Sequence, residues 1–476
     1  MTDSRTRRLS DVSELLGNWR ADGGPLAARL AQAIEDAVRR NELAEGTALP
    51  PERRLADALD LGRSTVVRAL ELLAERGVVR RVQGSGTFIA TPPPERVPDR
   101  LPPPLRTYYR AAGALAAPNL AAAVFPSARD LPADALTFGP ADLPTTDDPA
   151  SGYTIPGLPS TRRAVAASLT ATGLPTDPDS VIMTTGATQA LSLVFDLMLT
   201  SEDIVVVDTP TYPTTLDMLR RHGVRIVSAR TGTGPVDTSA LTRTALRTAA
   251  KMVVVISTCN PATGSTLSEA DRAPLLELAQ HGIVVVDDHT LADYHRGEPP
   301  RPLAAVHDHR NIITVGSYNK LYWGGLRVGW LRSHRAMTES LTWVKAKTDF
   351  GGSVPSQALL RKLLPHHASI AAMRRRQVYE RALDVRRFLS DQMPDWTVEG
   401  ADQGPSLWIR LPVRDTADFV SHAYRRDICV GYGGTYRSDG GRSSHIRLTL
   451  TADPDVITAG LAELRTAWRA FGSRRR

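Results

Sequence analysis

Only five lysines, Lys251, Lys320, Lys345, Lys347 and Lys362, stand in a chain of 476 residues whose lysines and arginines together number 58. Arginine has displaced lysine almost everywhere, so each remaining amine raises a chemical question. A Schiff base requires an amine and cannot be made by a guanidinium. Lys320 has the setting for that chemistry, because it closes Ser317-Tyr318-Asn319-Lys320 just beyond the apolar run Ile312-Ile313-Thr314-Val315. Seven residues on, Arg327 offers a planar fork that can clamp a phosphate in paired hydrogen bonds, with the Ser317 hydroxyl to help.

Four other apolar runs end in residues of distinctive type. Val181-Ile182-Met183 leads into Thr185-Gly186-Ala187-Thr188-Gln189, small residues opening a helix whose free N–H groups suit a phosphate; strand-to-helix turns also favour glycine for its own sake. Ile204–Val207 leads into Asp208-Thr209-Pro210-Thr211-Tyr212-Pro213, where Tyr212 reads either as a ring stacked on a flat heterocycle or as turn packing. Met252–Ile256 leads into Cys259-Asn260-Pro261, and Ile283–Val286 into Asp287-Asp288-His289. An acid facing a pyridine nitrogen keeps it protonated, which makes the ring an electron sink, the core of pyridoxal chemistry. The same two acids also read as metal ligands or as a helix cap. Cys259 is expected to be a small buried residue rather than a redox sensor.

Continuous apolar runs are what strands buried on both faces look like, and the helical stretches between them imply a mostly parallel sheet. Ligands bind such sheets at the carboxyl ends of the strands, where all five groups of residues fall.

A chain of this length exceeds one hydrophobic core, and its 42% hydrophobic and 23% charged residues are ordinary for a folded globular protein. No apolar run approaches the roughly 18 to 20 residues needed to span a bilayer, and two distant cysteines imply no disulfide framework; a cytoplasmic protein with no membrane partner is expected. Three segments are read: 22–90, a Pro- and Ala-rich linker over 91–126, and 127–476. The first holds helical patterns over Pro25–Arg40, after Leu49-Pro50-Pro51, and from about Arg63 to Arg76. Two short strands then flank Gln83-Gly84-Ser85-Gly86, which makes a winged helix-turn-helix. From Gly62 to Ala90 five arginines (Arg63, Arg68, Arg76, Arg80, Arg81) face two acids, Glu71 and Glu75, a local excess suited to DNA phosphates.

The run LPPERRLADALDLGRSTVVRALELLAERGVVRRVQGSGTFI resembles the DNA-binding domain of the GntR family. That resemblance implies contacts to a double-stranded DNA operator from Arg53, Arg63, Ser64, Thr65 and Gly84. The five strand ends resemble fold type I enzymes that use pyridoxal 5'-phosphate (PLP), of the aspartate aminotransferase group. By that likeness Gly186, Ala187 and Thr188 hold the phosphate with Ser317 and Arg327, Tyr212 stacks on the ring, and Asn260 bonds the ring hydroxyl. Asp287 pairs with the ring nitrogen, Lys320 is the catalytic amine of the internal aldimine, and Arg447 receives a substrate α-carboxylate. Together with GYTIPGLPSTRRAVAASL, AAMRRRQVYERAL and GPSLWIRLP, the whole is similar to the MocR subfamily of GntR regulators. The fold class implied is α/β, a winged helix fused to a large fold type I domain. The function implied is a PLP-binding regulator that responds to PLP or to an amino acid or amine effector, working as a homodimer with Tyr153 reaching the partner's site. An active aminotransferase tethered to DNA, or a scaffold that has lost PLP, are the alternatives. His289 stands where these proteins usually have a tyrosine on the ring oxygen, Asn319 replaces a small hydroxyl, and Tyr322-Trp323 place two large rings where smaller residues are common.

Overall fold

Leu30, Ala31, Ile34 and Ala37 recur at helical spacing, and all four are buried along α1 (Leu26–Arg39). In the computed structural model the described residues are 16, 19, 25–39, 43, 46–75, 78–82, 86–90, 119–123, 125, 127–144, 148–229, 234 and 236–473. The chain divides near residue 101 into two units.

In the first unit α1 and α2 (Glu52–Ala58) pack on α3 (Arg63–Glu75), around Leu55, Val66, Leu70 and Leu73. Pro51 caps α2, where a missing N–H costs nothing. A short strand β1 (Ala48–Leu49) joins the hairpin of β2 (Val79–Val82) and β3 (Gly86–Ile89) in the order β1-β3-β2. The hairpin is antiparallel, from Val79 opposite Ile89 to Val82 opposite Gly86. Gly84, at its turn, lies outside the described residues. The polar-flanked β1 has no strand signal of its own and forms by pairing with β3.

The second unit is built on a seven-stranded sheet of β4 (Val181–Thr184), β5 (Ile204–Val207), β6 (Arg225–Ser228), β7 (Met252–Val255), β8 (Val284–Asp288), β9 (Ile312–Ser317) and β10 (Gly329–Arg332). Its order is β4-β10-β9-β8-β7-β5-β6, parallel except for β10, which runs antiparallel to both neighbours. Successive residues of each strand enter different cores. Val284 and Val286 pack with α4 (Ala187–Met198), whereas Val285 packs with the helices on the other face. A second sheet, β11 (Thr397–Glu399), β12 (Ser406–Arg410), β14 (His445–Thr449) and β13 (Gly431–Tyr432) in that order, shares a core with α5 (His367–Gln392) and α6 (Pro454–Ser473).

The linker expected over 91–126 is too long at its far end. Leu120, Ala121, Ala123 and Phe125 are buried in the second unit. The Leu120 N–H donates to Cys429 O at 2.9 Å, and Thr449 N–H donates to Leu120 O at 2.7 Å. Alanine-rich composition reads as a spacer, but small side chains are also what lets a strand thread a crowded core. Among the described residues no helix is long and apolar enough to cross a membrane.

Candidate functional site

The carboxyl ends of β4, β5, β8 and β9, with β14 from the second sheet, converge on one cavity of about 340 Å³, within the usual range for small-molecule sites. Gly186, Ala187, Thr188, Tyr212, Asp288, Ser317, Lys320, Arg327 and Arg447 all line it. Residues spread over more than 260 positions of sequence are brought together because a parallel sheet lines up its strand ends.

The anion-binding end is assembled around α4. The first N–H groups of a helix have no acceptor within it, and Gly186 leads into α4 with φ of +140°, a backbone conformation open to glycine. A Cβ there would lie 2.8 Å from Asn319 Nδ2. Asn319 explains its own departure from a small hydroxyl: Nδ2 donates to Thr185 O at 3.1 Å and Oδ1 accepts from Val328 N–H at 2.8 Å. It ties the loop before α4 to the loop carrying Arg327, whose own φ of +54° is unusual for a branched-chain-free but bulky side chain. Two loops that must approach one phosphate are thus held by one amide.

At the other end Arg447, buried on β14, donates from Nε to Pro261 O and Ser406 Oγ at 2.8 and 3.0 Å, and from Nη1 to Ala121 O and Tyr436 Oη, both at 3.1 Å. Lys320 Nζ donates to Ala123 O at 3.0 Å. Three cations and one carboxylate therefore line the cavity, a balance that suits a guest with more than one negative charge.

Three residues expected at the site do not line this cavity. Asp287 does not line the cavity, because the strand's alternation turns it to the far face, where Oδ2 accepts from Leu303 N–H at 3.1 Å. Asp288 lines the cavity instead, on the same strand face as Val286 and with Thr290 beside it. By the same alternation His289 faces away, its Nε2 3.1 Å from Ser257 Oγ and 3.4 Å from Asp287 Oδ2, and it lines a separate cavity of about 100 Å³. Asn260 spends its amide inside the protein: Nδ2 donates to Asp208 Oδ2 at 3.2 Å and Pro210 O at 2.9 Å, and Oδ1 accepts from the N–H of Ala262 and of Thr263. Tyr153, expected to reach the partner's site rather than its own, is 76% exposed and lies edge-on to Phe350. Neither Tyr322 nor Trp323 intrudes on the cavity; Tyr322 is buried with its hydroxyl 3.0 Å from His367 Nδ1.

The three buried acids differ in their partners. Burial alone would raise Asp287, but the charge and hydrogen bond of His289 and the charge of Arg272 outweigh it and hold the carboxyl below its ordinary range. Burial raises Asp288, against the hydrogen bonds from Thr290. Burial also pushes Asp208 up to about 7, with Thr211 and Asn260 pulling the other way. Asp287 already has its cationic company, whereas Asp288 faces a cavity. Among the described residues no group of three or more His, Cys, Asp or Glu is placed to hold a metal ion.

The sequence profile of aminotransferase class I and II matches residues 146–464, more than half of the chain. The chain belongs to that family. Residues 26–89 match the bacterial regulatory proteins of the gntR family, so a GntR-type DNA-binding domain is fused to a PLP-dependent aminotransferase-like domain, as in MocR-type regulators. An uncharacterized HTH-type transcriptional regulator of Bacillus subtilis, YisV, is 25% identical over 96% of this chain and 100% of its own length. The probable rhizopine catabolism regulatory protein MocR of Rhizobium meliloti is 24% identical over 94% of this chain and 95% of its own. Among solved structures, the α-aminoadipate aminotransferase LysN of Thermus thermophilus, complexed with N-(5'-phosphopyridoxyl)-L-leucine, superposes with a TM-score of 0.68 at 22% identity, over 77% of this chain and 95% of that one. That likeness shows the fold.

The cavity fits the cofactor of this family on its own geometry. A glycine-opened helix end, Arg327, the buried carboxyl of Asp288 and the Lys320 amine all share its wall. The different placement of Asp287 and Asp288 has a measurable consequence. Asp288→Asn is expected to weaken PLP binding by roughly tenfold or more, the effect of losing a hydrogen bond to a charged group, with little change in melting temperature. Asp287→Asn is expected to lower the melting temperature instead, because removing one member of a buried charged group leaves the others uncompensated, at about 3–5 kcal/mol. An absorbance titration and a thermal melt on each variant separate the two; the reverse pattern would restore Asp287 to the site.

Proposed function

We propose that the protein is a ligand-responsive transcription regulator of the bacterial cytoplasm, whose large unit takes PLP covalently at Lys320 and recognises an amino acid or amine beside it. The observation that carries this reading is the single cavity in which Lys320, Arg327, Ser317, Asp288, Tyr212, Arg447 and the start of α4 all share the wall. The phosphate is assigned to the N–H groups of Ala187 and Thr188, the Ser317 hydroxyl and Arg327. Tyr212 covers one face of the ring, and Asp288 holds a proton at the ring nitrogen. When bound, PLP supplies an aldehyde that captures an amine and a ring that draws electrons from it. Arg447, buried and held by Pro261 O, Ser406 Oγ and Tyr436 Oη, is placed to orient an α-carboxylate.

In the first unit, Arg53, Arg63 and Ser64 are exposed and Thr65 half-buried at the α2–α3 corner, which supports their assignment to DNA. Glu52 lies between Arg63 and Arg81, 3.7 and 3.5 Å from them, and would hold both arginines toward one face. Two half-sites on an operator call for a homodimer, and the exposed Tyr153, Phe350 and Trp343 are the apolar surface suited to it.

For a ligand to regulate, it must bind one arrangement of the protein better than another. Operator fragments selected from random DNA by the intact chain are therefore expected to bind with an affinity that changes roughly fivefold or more when PLP and a mixture of amino acids are added, within the 1–3 kcal/mol usual for coupled sites. An affinity indifferent to both would reduce the large unit to a scaffold. Steady release of a keto acid would make the protein an enzyme as well.

A further inference from the structure

The segment by which the chain enters the second unit is stapled at two points. Leu120 is bonded on both sides, to Cys429 and Thr449, and the Phe125 ring lies 3.7 Å beneath the Arg374 guanidinium. Between the staples run Ala121, Ala122 and Ala123, the last of which lines the cavity. Their carbonyls take the two donors that a guest needs: Ala123 O accepts from Lys320 Nζ at 3.0 Å, and Ala121 O accepts from Arg447 Nη1 at 3.1 Å. Asn119 Oδ1 shapes the strap by accepting from the N–H groups of Ala121 and Ala122 at 3.0 and 3.1 Å.

The Lys320 bond is not compatible with full occupancy as the proposed function describes it, the Arg447 bond faces competition from a guest carboxylate, and the inference rests on that reading. When a lysine amine condenses with an aldehyde, a C=N bond forms and water leaves, so the nitrogen keeps at most one proton of the three it can donate. That proton is turned toward the guest. A carboxylate, being charged, outcompetes a neutral carbonyl for a guanidinium. We infer that the Ala121–Ala123 strap is an internal competitor for the ligand site, holding Lys320 and Arg447 until a guest displaces its carbonyls. The strap is continuous in sequence with residues 91–118, which lead to the DNA-binding domain. Occupancy of the site is thereby converted into release of the chain that connects the two functions.

A competitor has a signature opposite to that of a structural support: weakening it must tighten the ligand. Asn119→Ala, which removes the acceptor that shapes the strap without touching the cavity wall, is expected to raise PLP affinity roughly three- to tenfold, the effect of one hydrogen bond, in a titration followed at about 420 nm. Unchanged or weaker binding overturns the inference. Hydrogen exchange on the unsubstituted full-length chain gives an independent reading that does not depend on the variant folding. The peptide spanning 119–125 is expected to exchange faster with PLP bound, and equal or slower exchange overturns the strap. If no absorbance band forms with the unsubstituted chain, the covalent reading itself has failed; if the band forms and neither change follows, only the competitor has.

Discussion

Lys320→Ala is expected to abolish the absorbance band at about 420 nm that the unsubstituted protein gives with PLP, and with it all borohydride-stable labelling at the site. No other amine can take over. Lys345 is fully buried and paired with Asp349, and Lys362 is bound to Thr137 O and Asp142. Lys251 and Lys347 are exposed and absent from the cavity wall. Arg327 and Arg447 remain but form no imine. Non-covalent binding should persist, because the phosphate contacts are untouched, so dialysis ought to strip PLP from the variant and not from the parent. A variant that kept its colour through dialysis would place the attachment elsewhere.

The second large effect is on DNA. Arg63→Ala is expected to weaken binding to a selected operator by about 1–3 kcal/mol, which is roughly 5- to 150-fold, while non-specific DNA loses far less. Arg63 begins α3, its side chain is 72% exposed, and its nearest acid is Glu52 at 3.7 Å, a separation at which an exposed pair contributes little. The guanidinium therefore has little to surrender on meeting a guanine edge. A gel-shift titration that showed equal losses on both DNAs would turn Arg63 into a phosphate contact, and no loss at all would move the recognition surface away from the start of α3.

Much of this architecture was legible because its signals are local. The apolar runs at 181, 204, 252, 283 and 312 each became a strand of the main sheet, since valine- and isoleucine-rich segments with no polar face have nowhere else to go. The elements that went unread, β6, β10 and β1, carry polar residues or are too short to show a period, and they exist through their partners. Residues expected at the site from the loops line the cavity, as Gly186 and Thr188 do. Those on strands depended on parity. Asp287 and Asp288 are neighbours in sequence but lie on opposite faces, and the choice between them turns on where β8 begins, a detail that an all-valine run conceals. Asn260 stays off the cavity wall for another reason: its amide bonds Asp208 and Pro210, a long-range pairing that spacing cannot reveal. The strap at 121–123 looked like linker because alanine has the same composition in a spacer and in a tight passage.

The disposition of the lysines carries one last consequence, for stoichiometry. Aldehydes condense with any accessible amine, and in most proteins a crowd of surface lysines blurs the end point of such a reaction. Here the exposed lysine side chains among the described residues are Lys251 and Lys347 alone, so uptake of the coloured aldehyde counts specific sites against an almost blank background.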